Sequence, residues 1–407
     1  MHVGVIDGDV SYPPTSGKRL RTLNLLLKAA ARHRISYIGR AAQGSPEAEL
    51  APPFLRAHGI DPLIVHHPVP RKSGLAFYAR AGANLFSQAP LTAALHASAP
   101  MRRAVSDLAR RDPVDVWQIE WPPYLSTLAP EVPGARVLVA HNVDTLLWRR
   151  YWETEPSIFR RFFFRVQWKR FQRFEQGAFR RADRVIAVSE GDAEAIRTQF
   201  GQPAVDVVEN GIDRTYFQDV SGPRVPSRIL YLGALDWWPN LDAVWLMLDR
   251  IFPDVRRQEP SATLVIVGRR PPARLAERVR QMPGVELHAD VGDVRPFLGN
   301  CGVMAVPLRI GGGSRLKILE ALAAGLPVVA STIGAEGLRL TPGVDFVLAE
   351  EDDMAAALVR AVREPGAMQA MARCGRAVVL ETYDWDTLAR QLESSWEQSI
   401  STRSLRR

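Results

Sequence analysis

The stretch Pro307-Leu-Arg-Ile-Gly-Gly-Gly-Ser-Arg-Leu-Lys-Ile-Leu-Glu-Ala-Leu322 decides how the second half of this chain folds. The apolar run over residues 303–308 predicts a buried strand, and the three glycines that follow predict a turn in which a ligand can approach the backbone closely. Ser314 is placed as the N-cap of a helix that runs as far as Gly325. The stretch therefore predicts a strand, a glycine-rich turn and a helix.

The same stretch carries groups that suit an anion. Free N–H groups at a helix start attract phosphate, and Arg315 and Lys317 add full positive charges there. Glu320, one turn further on, can accept hydrogen bonds from sugar hydroxyls. These features favour a site for a phosphorylated sugar compound. The plainer alternative is an amphipathic helix whose surface pair of Lys317 and Glu320 contributes only about 0.2–0.5 kcal/mol.

Composition and charge narrow the class of protein. The 407 residues suffice for two domains, and the formal net charge of +8 favours partners that carry phosphate. Two cysteines, Cys301 and Cys374, are too few for a disulfide framework or a metal cluster. Asp7 and Asp9 in the first apolar run are not typical of a signal peptide, and no apolar run reaches the ~18 residues of a spanning helix. We expect a cytoplasmic protein, either free or peripheral at the inner face of the cell membrane.

The chain begins with a second unit of strand, turn and helix. Residues 1–6 predict a strand, and a helix with a stripe of leucines starts at Lys18, just after Gly17. Lys18 and Arg21 make the start of this helix basic, so the unit can hold an anion. It has no G-x-G-x-x-G pattern, so the dinucleotide fingerprint is missing. The alternative is a turn glycine followed by a solvated basic face.

Two further strands end in residues that can do chemistry. The run 114–119 is followed by Glu120, and the run 136–140 by His141. Ligands of open α/β sheets collect at the carboxyl ends of the strands, so both side chains stand where a site is expected. A single histidine after a strand is also commonly a hydrogen-bonded structural residue.

Residues 149–184 form the most basic part of the chain, with eleven Arg or Lys among nine Trp or Phe residues. At helical spacing many of the aromatic side chains must face a core, which is the interpretation we favour. A basic aromatic helix can also lie on anionic lipid. No recognised nucleic-acid motif accompanies it, so we expect no nucleic-acid partner.

The alternation of strands and helices occurs twice, which predicts two doubly wound parallel-sheet α/β domains. The expected division is an acceptor-side domain over 1–217, a Gly, Pro and Ser-rich linker over 218–227, and a donor-side domain over 228–384. A final helix and basic tail over 385–407 are expected to pack back on the first domain. In the second domain Gly233 follows the first strand, and Asn240 is a candidate cap of the next helix. The other predicted strands are 35–38, 63–66, 184–189, 205–209, 228–232, 263–267, 285–289, 327–331 and 346–348.

At this point the residues resemble a known family. Tyr12-Pro-Pro-Thr-Ser-Gly-Lys, His141-Asn, Glu209-Asn-Gly-Ile-Asp213 and the block from Gly311 to Ala330 are similar to retaining GT-B glycosyltransferases of family 4 (glycosyl transferases group 1). They look most like the sugar transferases of bacterial exopolysaccharide and cell-envelope synthesis. The resemblance implies a GT-B fold, in which two Rossmann-like domains face each other across a cleft.

The chain departs from the family's pattern in two places. Members have two glutamates eight positions apart; the second matches Glu320, but the first position is Gly312. Backbone amides of Gly312 and Gly313 would then replace the missing sugar contact, or the sugar specificity differs. The loop from Gly233 to Asn240 also lacks the Arg and Lys with which the family binds the diphosphate. Arg315 and Lys317 are the natural substitutes, because a departing diphosphate needs positive charge.

The implied reaction moves a sugar from a UDP- or GDP-sugar to a lipid-linked or glycan acceptor, with retention of configuration and without a metal or other cofactor. His141 would contact the donor sugar, with Arg315 and Lys317 as the other catalytic groups. The expected donor-binding residues are Gly233, Asn240, Gly312, Gly313, Ser314, Arg315, Lys317 and Glu320. The expected acceptor-side residues are Gly17, Lys18, Arg21 and Glu120, the last three by position alone. An epimerase, a hydrolase or a non-catalytic nucleotide-sugar-binding protein of the same fold is the alternative.

Overall fold

The computed structural model describes residues 1–70, 74–84, 86–218, 220, 222–310 and 315–405. The chain divides into two compact units. The first comprises Met1–Glu209 and Trp385–Arg407, and the second comprises Asn210–Asp384. The sequence placed the boundary later, at residue 217.

The first unit contains a seven-stranded sheet in the order β3-β2-β1-β4-β5-β6-β7, and all its neighbouring strands are parallel. Its strands are β1 (His2–Asp7), β2 (Arg34–Ala41), β3 (Ile60–His66), β4 (Val116–Ile119), β5 (Ala135–Ala140), β6 (Arg184–Ala187) and β7 (Val205–Val207). Its helices up to residue 200 are α1 (Gly17–Ala30), α2 (Pro46–Ala57), α3 (Leu75–Asn84), α4 (Leu91–His96), α5 (Ala99–Arg111), α6 (Asp144–Thr154), α7 (Ile158–Arg181) and α8 (Glu190–Phe200), with a 3-10 helix over Pro122–Thr127.

The second unit contains a six-stranded parallel sheet in the order β10-β9-β8-β11-β12-β13. Its strands are β8 (Val225–Leu232), β9 (Thr263–Gly268), β10 (Val285–Ala289), β11 (Cys301–Val306), β12 (Val328–Ala330) and β13 (Val347–Leu348). Its helices are α9 (Arg214–Gln218), α10 (Trp238–Leu246), which continues through a π-helical turn (Met247–Ile251) into α11 (Phe252–Gln258), α12 (Ala273–Arg280), α13 (Arg295–Asn300), α14 (Leu316–Ala323), α15 (Thr332–Ala335), α16 (Glu351–Arg363) and α17 (Pro365–Thr382).

The last helix, α18 (Trp385–Leu405), completes the core of the first unit. Trp385, Leu392 and Trp396 are buried in the cluster that also contains the inner face of α1. At the rim of this contact Lys28 pairs with Asp386 at 2.9 Å. The first unit is therefore built from both ends of the chain.

The predicted fold class is confirmed, because both sheets are parallel and alternate with helices as the apolar runs predict. The structure corrects four local details. Strand β8 begins at Val225, inside the predicted linker. The basic aromatic segment is two helices, separated at residues 155–157. Helix α14 begins at Leu316 with Arg315 as its N-cap residue, later than predicted. Asn240 lies inside the first turn of α10, where the N-cap residue is Trp237.

Among the helices that the structure describes, none is long and apolar enough to cross a membrane.

Candidate functional site

In each sheet the chain reverses its direction of winding at one point, and the carboxyl ends of the strands beside that point are the expected position of a ligand site. In the first unit the reversal lies between β1 and β4. Asp7 ends β1, Glu120 follows β4 and His141 follows β5. Parallel strands thus bring three titratable side chains to one edge of the sheet.

Glu120 and His141 form a buried pair. The Nε2 of His141 lies 2.9 Å from Oε2 of Glu120, and Glu120 is fully buried. Thr22 donates to the same oxygen at 2.8 Å, and the amide of Gln118 donates to the other one. Because an ionised carboxylate only accepts hydrogen bonds, Nε2 of His141 carries the proton. The pair therefore fixes both the orientation and the tautomer of the imidazole.

The charge of this pair follows from its surroundings. Burial raises the pKa of Glu120, but the hydrogen bond and charge of His141, with the charges of Lys18 and Arg21, outweigh burial and bring that pKa to about 2. Burial lowers the pKa of His141, against the opposing effect of Glu120. At neutral pH the carboxylate is ionised and holds a neutral imidazole.

The loop that carries His141 is also held at its other end. Glu175, buried on α7, accepts hydrogen bonds from the backbone N–H groups of Asp144 and Thr145 at 2.8 and 2.9 Å. These are the first residues of α6, whose N–H groups have no partner within the helix. The indole of Trp121 donates to the Asp144 carboxylate at 2.8 Å. The turn after β5 is thus fixed on both sides of residues 142 and 143.

The residues expected on the acceptor side differ in exposure. Gly17 is exposed at the first position of α1. Lys18 is partly exposed and pairs with the buried Asp7. Arg21 is buried, and its Nη2 donates to the backbone oxygen of Val208 at 2.8 Å. The solvated basic face that the sequence offered as an alternative is therefore wrong for Arg21. Arg21 and Glu120 are thus buried, whereas Gly17 and part of Lys18 are open to solvent.

In the second unit the reversal lies between β8 and β11, and Lys317 is the central cation there. Its ammonium lies 2.7 Å from Oδ1 of Asn240 and 4.9 Å from the centre of the Tyr231 ring. Asn240 is oriented by its own contacts, since Nδ2 donates to the backbone oxygen of Ala234 at 3.0 Å and its backbone oxygen accepts from the Tyr231 hydroxyl at 3.0 Å. Residues from β8, α10 and α14 thus hold one lysine.

Gly233 makes this arrangement possible. A Cβ atom added at Gly233 would lie 2.9 Å from the Asn240 amide and 2.9 Å from Nζ of Lys317. Separations below about 3.0 Å are not tolerated by carbon atoms in a packed site. A side chain at position 233 would therefore force the Asn240 amide or the Lys317 ammonium to shift.

Arg315 is buried at the start of α14. Its Nε donates to the backbone oxygen of Ile333 at 3.1 Å, and its Nη2 lies 3.5 Å from a carboxylate oxygen of Glu336. Its charge lowers the pKa of Lys317. Arg315 therefore links α14 to α15 and adds positive charge beside the lysine.

Lys317 and Glu320 both have strongly shifted pKa values. Burial, and then the charge of Arg315, lower the pKa of Lys317 to about 7, against the opposing effect of Glu320. Burial raises the pKa of Glu320 to about 7, and Lys317 opposes the shift. Within the part of the chain that the structure describes, no hydrogen bond to the Glu320 carboxylate is formed. Both side chains are partly buried, so they do not form the solvated surface pair that was the alternative. Shifts of the pKa of this size are typical of functional sites.

Three of the predicted donor-binding residues, Gly312, Gly313 and Ser314, lie outside the described residues. Among the described residues, no group of three or more His, Cys, Asp or Glu side chains is placed to hold a metal ion.

Several residues of these sites were not found from the sequence. Asp7 ends a strand, Tyr231 lies within a strand and Glu175 lies on a helix. None of the three belongs to a sequence motif. Asp7 alone had a usable signal, because it ends the first strand at the same edge as Glu120. Tyr231 and Glu175 act through partners that are distant in the chain, so periodicity gives no sign of them.

Two protein-family models match the chain. The model described as Glycosyltransferase Family 4 matches residues 21–216, and the model described as Glycosyl transferases group 1 matches residues 226–364. Both models describe glycosyltransferases, and each covers less than half of the chain, one in its first part and the other in its second.

Relatives of known sequence are similar over part of their length. Glycogen synthase of Mycobacterium tuberculosis is 30% identical over 230 residues, which cover 53% of this chain and 54% of the relative. The MMP alpha-(1->4)-mannosyltransferase of Mycolicibacterium hassiacum is 26% identical over 247 residues, which cover 58% and 59%. The chain spans about half the length of the curated relatives it matches.

Solved structures match over almost the whole chain. Sucrose-phosphate synthase from Thermosynechococcus elongatus has a TM-score of 0.74 at 15% identity, covering 98% of this chain and 99% of the other. Anabaena HepE in complex with UDP and glucose has a TM-score of 0.69 at 15% identity, covering 98% and 100%. These likenesses concern the fold.

Proposed function

We propose that this protein is a retaining glycosyltransferase that moves a sugar from a nucleotide-sugar to a lipid-linked or polysaccharide acceptor in envelope or exopolysaccharide synthesis. The observation that carries the proposal is the cluster of Lys317, Arg315 and Glu320 at the winding reversal of the second sheet, in a chain whose two parts match glycosyltransferase models.

The donor is proposed to bind in the second unit. A nucleoside diphosphate needs cations for its phosphates and an acceptor for its ribose hydroxyls. Lys317 has one hydrogen-bond partner, Asn240, among the described residues, and an ammonium has three donors. Glu320 has an oxygen pair suited to two neighbouring hydroxyls. We propose that Lys317 and Arg315 hold the diphosphate and that Glu320 holds the ribose.

The chemical step is proposed to be a front-face substitution. The bond between the anomeric carbon and the diphosphate oxygen breaks, the acceptor oxygen bonds to that carbon, and the acceptor proton goes to the departing phosphate. Cationic side chains that stabilise the charge developing on the leaving group are the largest contribution such a site can make. We propose that no metal or other cofactor takes part, with Lys317 and Arg315 supplying that charge. His141, oriented by Glu120, would contact the sugar.

The printed names of two similar proteins support the choice of donor. HepE was solved with UDP and glucose, and a curated relative from Corynebacterium glutamicum is named as a GDP-mannose-dependent mannosyltransferase. UDP- and GDP-sugars are therefore the proposed donors. We place the enzyme in the cytoplasm, at the inner face of the membrane, where a lipid-linked acceptor is presented.

A thermal-shift and calorimetric screen against UDP-, GDP- and ADP-sugars tests the donor site. One class should raise the melting temperature, and Glu320→Ala should abolish that shift. Glu381→Ala, at an exposed glutamate of α17, is the matched control and should behave as wild type. Equal binding by Glu320→Ala would refute the assignment of the ribose site.

Turnover separates the proposed reaction from its alternatives. The transferase should release nucleotide only when an acceptor is added, and NMR of the product should show the anomeric configuration of the donor. Release of free sugar, or change of the sugar without an acceptor, would indicate a hydrolase or an epimerase instead. Binding without turnover over a broad acceptor panel would indicate a non-catalytic protein.

A further inference from the structure

The six most exposed large apolar side chains of the described residues all lie on α3, just after it, or at the start of α7. They are Leu75 (90% exposed), Tyr78 (69%), Phe86 (95%), Ile158 (81%), Phe159 (89%) and Phe162 (62%). Elsewhere in the described chain the most exposed is Val344, at 52%. Exposed apolar side chains that occur singly are ordinary, but such a concentration marks an interaction surface. We call these six residues the α3–α7 face.

The core of the first unit does not use this face. Helix α7 packs against α6 through the opposite aromatic side, where Trp148 contacts Phe163, Phe164 and Phe171. Ile158 and Phe162, four positions apart on the helix, project from one exposed side. The first turns of α7 are therefore apolar on two sides, and the described residues cover only one of them.

The end of α3 is attached to α7 by buried polar contacts. Arg170 donates to the backbone oxygen of Asn84 at 2.7 Å and to its side chain at 3.0 Å, and Gln167 donates to the same side chain at 3.2 Å. Phe86 follows this junction by two residues. The exposed segment that ends at Phe86 is thus attached to the same helix that carries Ile158, Phe159 and Phe162.

The α7 segment that carries part of the face is strongly basic, although Glu155, just before the helix, pairs with Arg160 at 3.0 Å. Residues 158–174 contain six Arg or Lys and no Asp or Glu. The guanidinium groups of Arg161 and Arg165 lie 5.7 and 6.0 Å from the centre of the Trp152 ring, and the Lys169 ammonium lies 4.2 Å from that of Trp168. Exposed apolar tips flanked by cations suit the boundary between acyl chains and anionic head groups. A second copy of the chain fits less well, because two such basic faces repel each other.

We propose that the α3–α7 face docks on the surface of an anionic lipid bilayer, with its apolar side chains in the head-group boundary and its arginines on lipid phosphates. The proposal deepens the proposed function, since it rests on a lipid-linked acceptor being reached at that surface. The docking itself requires no sugar transfer, so it can be measured separately.

Co-flotation of the full chain with vesicles tests the proposal. Wild type should float with phosphatidylcholine vesicles that contain phosphatidylglycerol, and neutral vesicles or high salt should abolish this. Phe159→Ser/Phe162→Ser should lower partitioning at least tenfold, because both aromatic side chains lose burial in lipid. Arg161→Gln/Arg165→Gln should lower it by about fivefold per arginine.

The matched control is Leu50→Ser/Val344→Ser, which removes two exposed apolar side chains away from this face and should float as wild type. Every variant should keep the wild-type melting temperature and nucleotide affinity, because the substituted side chains are exposed. Equal flotation by wild type and Phe159→Ser/Phe162→Ser would overturn the proposal. A different result would also overturn it: wild type forms dimers by light scattering, this variant does not, and neither protein binds vesicles. If the wild-type protein binds no nucleotide, the proposed function is refuted instead.

Discussion

The pKa of Lys317 predicts how the affinity for nucleotide depends on pH. Its pKa is about 7, well below the ordinary 10.5, because the ammonium is buried and lies near Arg315. If the diphosphate binds only to the charged form, affinity follows the protonated fraction, which is about one half at pH 7 and about one hundredth at pH 9. The affinity for UDP or GDP should therefore fall up to about fiftyfold over that interval, while the terminal phosphate stays ionised throughout.

Isothermal calorimetry at several pH values measures this profile for wild type and three variants. Lys317→Arg stays charged, so its affinity should be nearly independent of pH. Lys317→Met should bind about 10–150-fold more weakly than wild type at pH 7, the equivalent of about 1.5–3 kcal/mol for a charged hydrogen bond, and should also lose the profile. Glu320→Gln removes the charge that raises the lysine pKa, so its profile should shift to lower pH.

Proton uptake gives an independent measurement. At pH 8, nucleotide binding should take up nearly one proton in wild type and none in Lys317→Arg, seen as a dependence of the heat on the buffer. Gly233→Ala, whose Cβ would crowd Nζ of Lys317, should weaken binding without removing the charge. Lys28→Met, at a half-exposed lysine of α1, is the control and should change neither affinity nor uptake. A flat wild-type profile, or a wild-type profile in Lys317→Met, would refute this account of the site.

Two predictions concern stability. Glu120→Gln replaces the carboxylate that contacts His141, Thr22 and Gln118 by a neutral amide and should lower the free energy of unfolding by about 1–3 kcal/mol in urea titrations at pH 7. Since the folded pKa of Glu120 is about 2 and the ordinary value is 4.5, its stabilisation is present above pH 4.5 and is lost as the pH falls toward 2; an unchanged acid profile in the variant would contradict this. Trp396→Phe removes the indole that donates to Gln118 at 2.7 Å and should cost about 1–3 kcal/mol, whereas an unchanged unfolding midpoint would show that the contact between α18 and the sheet contributes little.

The strands and most helices could be predicted from the sequence, because each is encoded by residues close in the chain. The strand before Glu120 could be recognised because it is buried on both faces of a parallel sheet, and three of its four residues are therefore apolar. The carboxyl ends of such strands meet at one edge, so Glu120 and His141 could be expected near each other. Their direct contact, and its Thr22 partner on α1, could not be predicted, because each depends on how α1 packs on the sheet.

Other errors have the same origin. The local sequence pattern suggests that Arg21 is solvated. Its hydrogen-bond partner, the backbone oxygen of Val208, lies far along the chain, so the pattern does not reveal it. Asn240 reads as a helix cap because Asn is common at that position. In the structure its side chain instead bridges the backbone of Ala234 and the ammonium of Lys317.

The sequence by itself determined the order of the elements, the two parallel sheets and the choice of residues 315–320 as a site, because apolar periodicity and turn residues act over a few positions. Only the tertiary structure decided the electrostatic state of that site. The pKa of Lys317 is about 7 because residues of β8, α10 and α14 surround the ammonium and burial disfavours its charge. The local sequence pattern does not show how deeply a side chain is buried. The role of α18 was also decided only by the tertiary structure. Its tryptophans complete a core whose first residues lie almost four hundred positions earlier in the chain.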